Sequence, residues 1–328
     1  MQPRVLVAST GGTIASTGAD AKTPTESAPT LLGAVPGIEE VDLEVAEVAQ
    51  ASGFQMDFDR LEALRETVVG ALADGVEGIV VTHGTDTMAE SAYAIELLAD
   101  PDRPVVFTGA QRPADEPGTD GPTNLRDAIR TAADPRFRAA GGTYLAFDDE
   151  VHAARRVRKG HTTALGTFES PSTGPVGEFT PDGLRLLRDP GPESAPIPDA
   201  ELDPEIRVEI VTNALGADGG AVDRAREAGV DGIVLAGTGL GNATADLGAA
   251  LERAMADGIP VVVTSRCPDG TTAGLYGGPG GGATLREAGA VGAGDLPPWK
   301  ARLRLAIALS SDADVAECFG GLESDGQA

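Results

Sequence analysis

Along the first half of the chain, short runs of consecutive apolar residues alternate with segments whose apolar residues recur every three to four positions. Val5-Leu6-Val7-Ala8 is a strand-like run ending at Thr10-Gly11-Gly12-Thr13, and Met56, Leu61, Leu64 and Val68 give residues 56–72 a helical face. The same alternation predicts strands over 78–81, 105–107 and 143–147 and helices over 88–98 and 125–133. Strands that read apolar throughout are covered on both faces, so the pattern predicts an α/β fold with a mostly parallel sheet flanked by helices. Ligands of such sheets bind beyond the carboxyl ends of the strands, which here are the loops at 10–13, 82–87 and 108–113.

A chain of 328 residues has room for about two domains. Residues 189–204 hold five prolines and follow neither period, which suits a stiff, exposed connector. The expected organisation is therefore a larger N-terminal domain over 1–188, a linker over 189–204 and a smaller C-terminal α/β domain over 205–328. Strands over 206–211, 232–235 and 261–264 and helices over 220–228 and 243–257 would build the latter. The glycine-dense stretch 277–282 reads as a mobile loop, and no internal repeat appears.

Charge narrows the choice of partners. With 25 basic against 51 acidic residues the net charge is −26, a surface that repels nucleic-acid backbones and anionic lipid. Only Lys22, Lys159 and Lys300 are lysines, and so acidic and lysine-poor a chain suits the salt-rich cytoplasm of a halophilic archaeon, where screening removes the self-repulsion. Two cysteines, Cys267 and Cys318, and three histidines without ligand spacing give no disulfide framework and no metal cluster, so buried free thiols are expected. The amino terminus lacks the apolar core of a signal peptide, and no uncharged stretch reaches the roughly 18 apolar residues of a membrane span, so a cytoplasmic protein is expected.

Chemistry can be placed on the strand-end loops. Thr13 follows two glycines that leave the backbone open to a ligand, as a nucleophile would require, although Thr-Gly-Gly-Thr is also an ordinary tight turn. In Thr82-His83-Gly84-Thr85-Asp86-Thr87, Thr87 with Glu90 has the form of a capping box, which leaves Thr85 and Asp86 unexplained and facing the ligand position. His83 reads as a packed or loop-bracing imidazole. Lys159 ends the basic run Arg155-Arg156-Val157-Arg158-Lys159, which reads equally as a surface cluster offsetting the acid excess, but lysine is the basic residue that burial most readily converts into a proton acceptor.

Taken together, Thr10-Gly11-Gly12-Thr13-Ile14-Ala15, Thr82-His83-Gly84-Thr85-Asp86-Thr87-Met88, Gly109-Ala110-Gln111-Arg112-Pro113, Asp120-Gly121-Pro122 and Asn124-Leu125 resemble the bacterial-type L-asparaginase family. The likeness runs in order from residue 4 to about 310. It implies a two-domain asparaginase-like fold and hydrolysis of the side-chain amide of L-asparagine to L-aspartate and ammonia, with no metal or cofactor and with L-glutamine left open as a second substrate. By position, Thr13 resembles the family's nucleophile, and Thr85, Asp86 and Lys159 its second catalytic cluster. Substrate contacts are implied for Gly12, Ser52, Gln55, Gly84, Thr85, Asp86, Ala110 and Asn242, the last from a neighbouring subunit of a homodimer or homotetramer. Two departures stand out: residues 16–30 lack the family's lid tyrosine, with Thr25 a substitute, and Ser52-Gly53-Phe54-Gln55-Met56 replaces the family's serine just ahead of methionine, with Ser52 or Gln55 a substitute.

Two other readings compete. One is the asparaginase-like, ammonia-releasing subunit of the archaeal amidotransferase that converts Glu-tRNA to Gln-tRNA, which carries an additional amino-terminal domain for which a first strand at Val5 leaves no room. The other is a nucleotide-binding module, since Gly237-Thr238-Gly239-Leu240-Gly241-Asn242 approaches a dinucleotide fingerprint but has Asn242 where the third glycine belongs.

Overall fold

A computed structural model describes residues 2–17, 23–24, 32–33 and 35–322. The chain divides into two compact units, Met1–Pro196 and Ile197–Ala328.

In the first unit, β1 (Arg4–Gly11), β2 (Asp42–Ala51), α1 (Phe58–Ala73), β3 (Gly78–Thr82), α2 (Met88–Ala99), β4 (Val105–Thr108), α3 (Gly121–Ala133), α4 (Pro135–Ala140) and β5 (Thr143–Phe147) follow one another. Their five strands are all parallel in the order β2-β1-β3-β4-β5. That order reverses between β1 and β3, so the chains leaving those two strands diverge and open a crevice at their carboxyl ends. Beyond β5 come β6 (Glu150–Ala153), a two-residue ribbon of β7 (Arg158–Lys159) and β8 (Phe168–Glu169), and the hairpin β9 (Gly177–Thr180) and β10 (Gly183–Leu186). Strands β6, β9 and β10 extend the sheet antiparallel, giving β10-β9-β6-β5-β4-β3-β1-β2. Burial explains the central strands: every residue of β3, β4 and β5 is buried, and one face packs Val5, Val7, Val80, Val106 and Tyr144 against Leu125 and Ile129 of α3.

Several boundaries differ from expectation for identifiable reasons. Helix α1 begins at Phe58 because Asp57 caps it, accepting from the Arg60 amide at 2.9 Å. Helix α3 starts at Gly121, before its first apolar residue, with a proline in its first turn where the missing amide costs nothing. Strand β2 was not expected; it is the sheet's edge, and its acidic residues blur the apolar alternation while discouraging edge-to-edge pairing. The segment 189–204 has no helix or strand, but it is not the wholly exposed connector expected. Ser194, Ile197 and Leu202 are buried, and Glu193 pairs with both Arg156 and Arg188.

The second unit carries β11 (Val208–Thr212), α5 (Gly220–Glu227), β12 (Gly232–Gly237), α6 (Ala245–Ala256), β13 (Val261–Ser265), α7 (Gly282–Glu287), β14 (Val291–Gly292), α8 (Pro298–Ser310) and α9 (Val315–Phe319). Its sheet is parallel throughout, in the order β11-β12-β13-β14. The expected mobile loop at 277–282 is anchored at its far end: a Cβ on Gly248 of α6 would lie 2.5 Å from the Gly280 Cα, so α6 and the loop backbone are in direct contact. Of the two thiols expected to be buried, Cys318 is and Cys267 is exposed. No helix among the described residues is long and apolar enough to cross a membrane.

Candidate functional site

The site is assembled from backbone first. Gly12 follows β1, Gly84 follows β3 and Gly53 follows β2, and the three lie against one another with no room for a side chain. A Cβ on Gly12 would stand 2.5 Å from the Gly84 nitrogen, and one on Gly84 would stand 2.2 Å from the Gly53 nitrogen. Gly12 also has φ of 84°, which L side chains rarely adopt, and its amide donates to the Ala51 carbonyl at 2.9 Å. These contacts seat the loop bearing Thr13 on the loop bearing Thr85 and Asp86, at the crevice between β1 and β3.

Most threonines at the strand ends are braces. The Thr10 hydroxyl donates to the Thr82 carbonyl at 2.9 Å, and the Thr108 hydroxyl to the Ala146 carbonyl at 2.9 Å. Thr87 precedes α2 without making the expected capping bond; its hydroxyl donates instead to the Gly53 carbonyl at 2.6 Å, tying the second loop to the first turn after β2. Thr13 is different: it opens a single 3-10 turn, is half-buried, and has no side-chain hydrogen bond among the described residues. Ile14, its neighbour, is buried beside Ala110 and α3, and a Cβ on Gly121 would meet Ile14 Cγ1 at 2.9 Å.

Lys159 reaches this place from far along the chain. On the β7–β8 ribbon it lies opposite Phe168, whose ring packs edge-on against Phe147 at 5.0 Å. Its Nζ donates to Thr85 Oγ1 and to Asp86 Oδ1, both at 2.8 Å. The lysine side chain is mostly buried and the Asp86 carboxylate about half exposed, so the ammonium is held while the acid keeps an open face toward a ligand.

His83 is fully buried, its Nδ1 2.7 Å from the Gly84 carbonyl, while Nε2 meets no partner among the described residues. Desolvation pushes its pKa down to about 4, against a smaller opposing effect of the Gly84 bond. A neutral ring donating from Nδ1 is thus a brace for Gly84, in line with the sequence reading.

The third loop is held by residues that sequence reasoning quoted without giving them a role. Asp120 does not cap α3; its carboxylate accepts from the amides of Gln111 (2.9 and 3.2 Å) and Arg112 (2.9 Å). Asn124 Nδ2 donates to Asp120 Oδ2 and to the Gly109 carbonyl, each at 3.0 Å, and its Oδ1 accepts from the Asp148 amide at 3.0 Å. A carboxylate nine residues after the loop it serves was the available signal. Ala110, fully buried, is fixed by this network.

Other candidates fare unevenly. Gln55 is exposed and its Oε1 accepts from the Ser52 amide at 3.1 Å, so its carboxamide oxygen is spent on the turn; Ser52 is half-buried beside Gly53 and so lies next to Gly84. Asn242 belongs to the second unit, where its Oδ1 accepts from the Gly282 amide at 3.0 Å. The glycine loop containing it closes on itself, Thr238 and Asn242 exchanging backbone bonds at 2.9 Å, and a Cβ on Gly237 would strike Gly241 at 2.7 Å. Its glycines serve that self-packing, which speaks against the dinucleotide reading. Thr25 lies outside the described residues.

Comparison with known proteins points one way. Residues 4–191 match the family model described as asparaginase, N-terminal, and residues 207–318 match the glutaminase/asparaginase C-terminal domain. The chain is 34% identical to an L-asparaginase of Bacillus licheniformis, over 95% of this chain and 97% of that one. It is 31% identical to a glutamyl-tRNA(Gln) amidotransferase subunit of Methanothermobacter thermautotrophicus, over 95% of this chain and 73% of that one. The crystal structure of a probable cytoplasmic L-asparaginase from Campylobacter jejuni superposes with a TM-score of 0.85 at 30% identity, covering 97% of this chain and 99% of the other.

Proposed function

Because this chain belongs to the asparaginase family and is an asparaginase-type amidohydrolase, we propose that it hydrolyses L-asparagine, with Thr13 as nucleophile. The observation that carries this reading is the convergence of Lys159, Thr85 and Asp86 on the crevice into which the glycine contacts press the Thr13 loop.

Thr13 Oγ adds to the side-chain amide carbon, the C–N bond breaks as ammonia leaves, and water then cleaves the resulting ester to release aspartate and restore the hydroxyl. A threonine hydroxyl does not attack unaided. The Thr85–Lys159 hydrogen bond offers a proton a path from the reacting centre to the amine, and Asp86 both holds that amine and presents its exposed oxygen to the substrate α-ammonium. The close-packed amides around Gly12 and Gly84, with the amino-terminal end of α2 behind them, favour the negative charge that develops on the amide oxygen. Gly12, Gly84 and Ala110 contribute backbone to this pocket, and Ser52 is better placed than Gln55 to meet the α-carboxylate. The working assembly is a homodimer or homotetramer in the cytoplasm, in which Asn242 completes the site of a neighbouring subunit.

A second reading, an ammonia-releasing amidotransferase subunit, is favoured by the 31% identity to the Methanothermobacter thermautotrophicus protein. The L-asparaginase of Bacillus licheniformis, at 34% identity, favours the first. The test is ammonia release from asparagine and glutamine by the purified protein alone. Wild type is expected to act on asparagine, and Thr13→Ala to lose nearly all turnover with an unchanged melting temperature. Undiminished ammonia release by Thr13→Ala would remove the nucleophile, and turnover that appears only with a partner protein would favour the second reading.

A further inference from the structure

We propose that Gln111 is a positioning residue for the reaction, acting through the hydroxyl of Thr85; the inference rests on the role given to Thr85 above. Thr85 Oγ1 has one hydrogen to give. Lys159 Nζ already donates to that oxygen at 2.8 Å, and the Thr85 hydroxyl itself donates to Gln111 Oε1 at 3.3 Å.

The orientation of the Gln111 amide is forced, because its Nε2 donates to the Ala164 carbonyl at 3.1 Å. A carbonyl cannot donate, so the nitrogen must face Ala164 and the oxygen must face Thr85. The backbone end is fixed as well, through the Gln111 amide on the Asp120 carboxylate. An acceptor anchored at both ends therefore sets the rotor of the Thr85 hydroxyl, leaving its lone pairs toward Lys159. Proton transfer from Thr85 to the amine requires the hydrogen to swing from Gln111 Oε1 to Lys159 Nζ, so Gln111 defines the starting geometry of that transfer. It also links all three parts of the site: the second strand-end loop through Thr85, the third through its own backbone, and through Ala164 the segment that follows Lys159.

The experiment compares two variants in the full-length enzyme by steady-state kinetics with asparagine and by melting temperature. Gln111→Met keeps the length of the side chain and removes both bonds. Gln111→Glu keeps an acceptor toward Thr85, loses the donor toward Ala164 and adds a negative charge. The Met variant is expected to lose at least about tenfold in kcat, the upper scale of one lost hydrogen bond, with KM within about threefold of wild type. The Glu variant is expected to retain more than about three times the kcat of the Met variant, the rescue that an acceptor alone can give. Equal losses in both, tracking melting temperature, would make Gln111 a loop anchor only and overturn the proposal, as would full kcat in the Met variant or a loss confined to KM. Wild type that releases no ammonia from either amide would instead remove the functional reading and this inference with it.

Discussion

The buried imidazole of His83 and the buried carboxylate of Asp127 make opposite predictions about acid stability, and together they test the electrostatics of the N-terminal unit. His83 is 0% exposed and burial pushes its pKa down from 6.5 to about 4. Asp127, on α3, is 1% exposed; burial pushes its pKa up from 3.8 to about 6, against a smaller opposing effect of its hydrogen bond from Arg126. Between pH 6.5 and 4 the unfolded chain protonates its histidine and the native state does not, so His83 lowers stability as pH falls. Between pH 6 and 3.8 the native state protonates Asp127 and the unfolded chain does not, so Asp127 raises stability as pH falls. At 1.36 kcal/mol per unit, going from pH 7.5 to pH 5 costs about 2 kcal/mol through His83 and returns about 1 kcal/mol through Asp127. In wild type the two partly offset each other. In His83→Gln the loss is removed, so relative to wild type the variant should gain about 2 kcal/mol at pH 5 over its difference at pH 7.5; Asp127→Asn should shift by about 1 kcal/mol the other way. Guanidinium unfolding of the three proteins at both pH values and one salt concentration measures this. Differences between variant and wild type that stay constant with pH would refute the assignment of a neutral buried His83 and a raised Asp127.

Lys159→Met should lower kcat by at least about 10²-fold while the protein remains folded, the scale of a positioned acid–base group; a smaller loss in the same ammonia assay would remove Lys159 from the proton path. Gly84→Ala puts a methyl 2.2 Å from the Gly53 nitrogen; both neighbours are backbone, so thermal unfolding should show destabilisation of roughly 1–3 kcal/mol or more together with lost turnover. Asp120→Ala should free the Gln111 and Arg112 amides and lower kcat more than it lowers melting temperature. With a net charge of −26, the melting temperature should rise by several degrees between about 0.1 and about 2 M salt as repulsion is screened; an unchanged curve would argue against a salt-rich habitat.

The central sheet was legible because β3, β4 and β5 are buried along their whole length, and burial on two faces writes an uninterrupted apolar run into the sequence. Strand β2, at the edge and half in solvent, and the hairpin β9–β10 carry no such run. The two-residue ribbon that delivers Lys159 is shorter than any periodicity can register, and its hydrogen bond to Thr85 spans 74 residues of sequence. Only resemblance to relatives placed that lysine beside the threonine. Gln111 stands in a motif, but nothing in a linear pattern distinguishes a glutamine bonded to solvent from one bonded to a hydroxyl.

The threonine-rich strand ends show why composition alone could not assign the chemistry. Where parallel strands part, the last carbonyls lose their ladder partners, and a buried carbonyl without a donor is costly. A threonine at that position supplies a donor without leaving the strand, which is what Thr10 does for Thr82 and Thr108 for Ala146. Crevice formation and threonine enrichment therefore arise from the same topology, whether or not any hydroxyl reacts. The residues that differ are the ones released from this duty: Thr13, whose backbone is carried past the strand end by Gly11 and Gly12 at positive φ, and Thr85, whose hydroxyl accepts from the Lys159 amine and donates to a side-chain amide instead of a backbone carbonyl. The paired glycines matter for this reason. They turn the chain at the strand end, and Gly12 lies so close to Gly84 that the spacing of the first loop from the second is set by peptide against peptide.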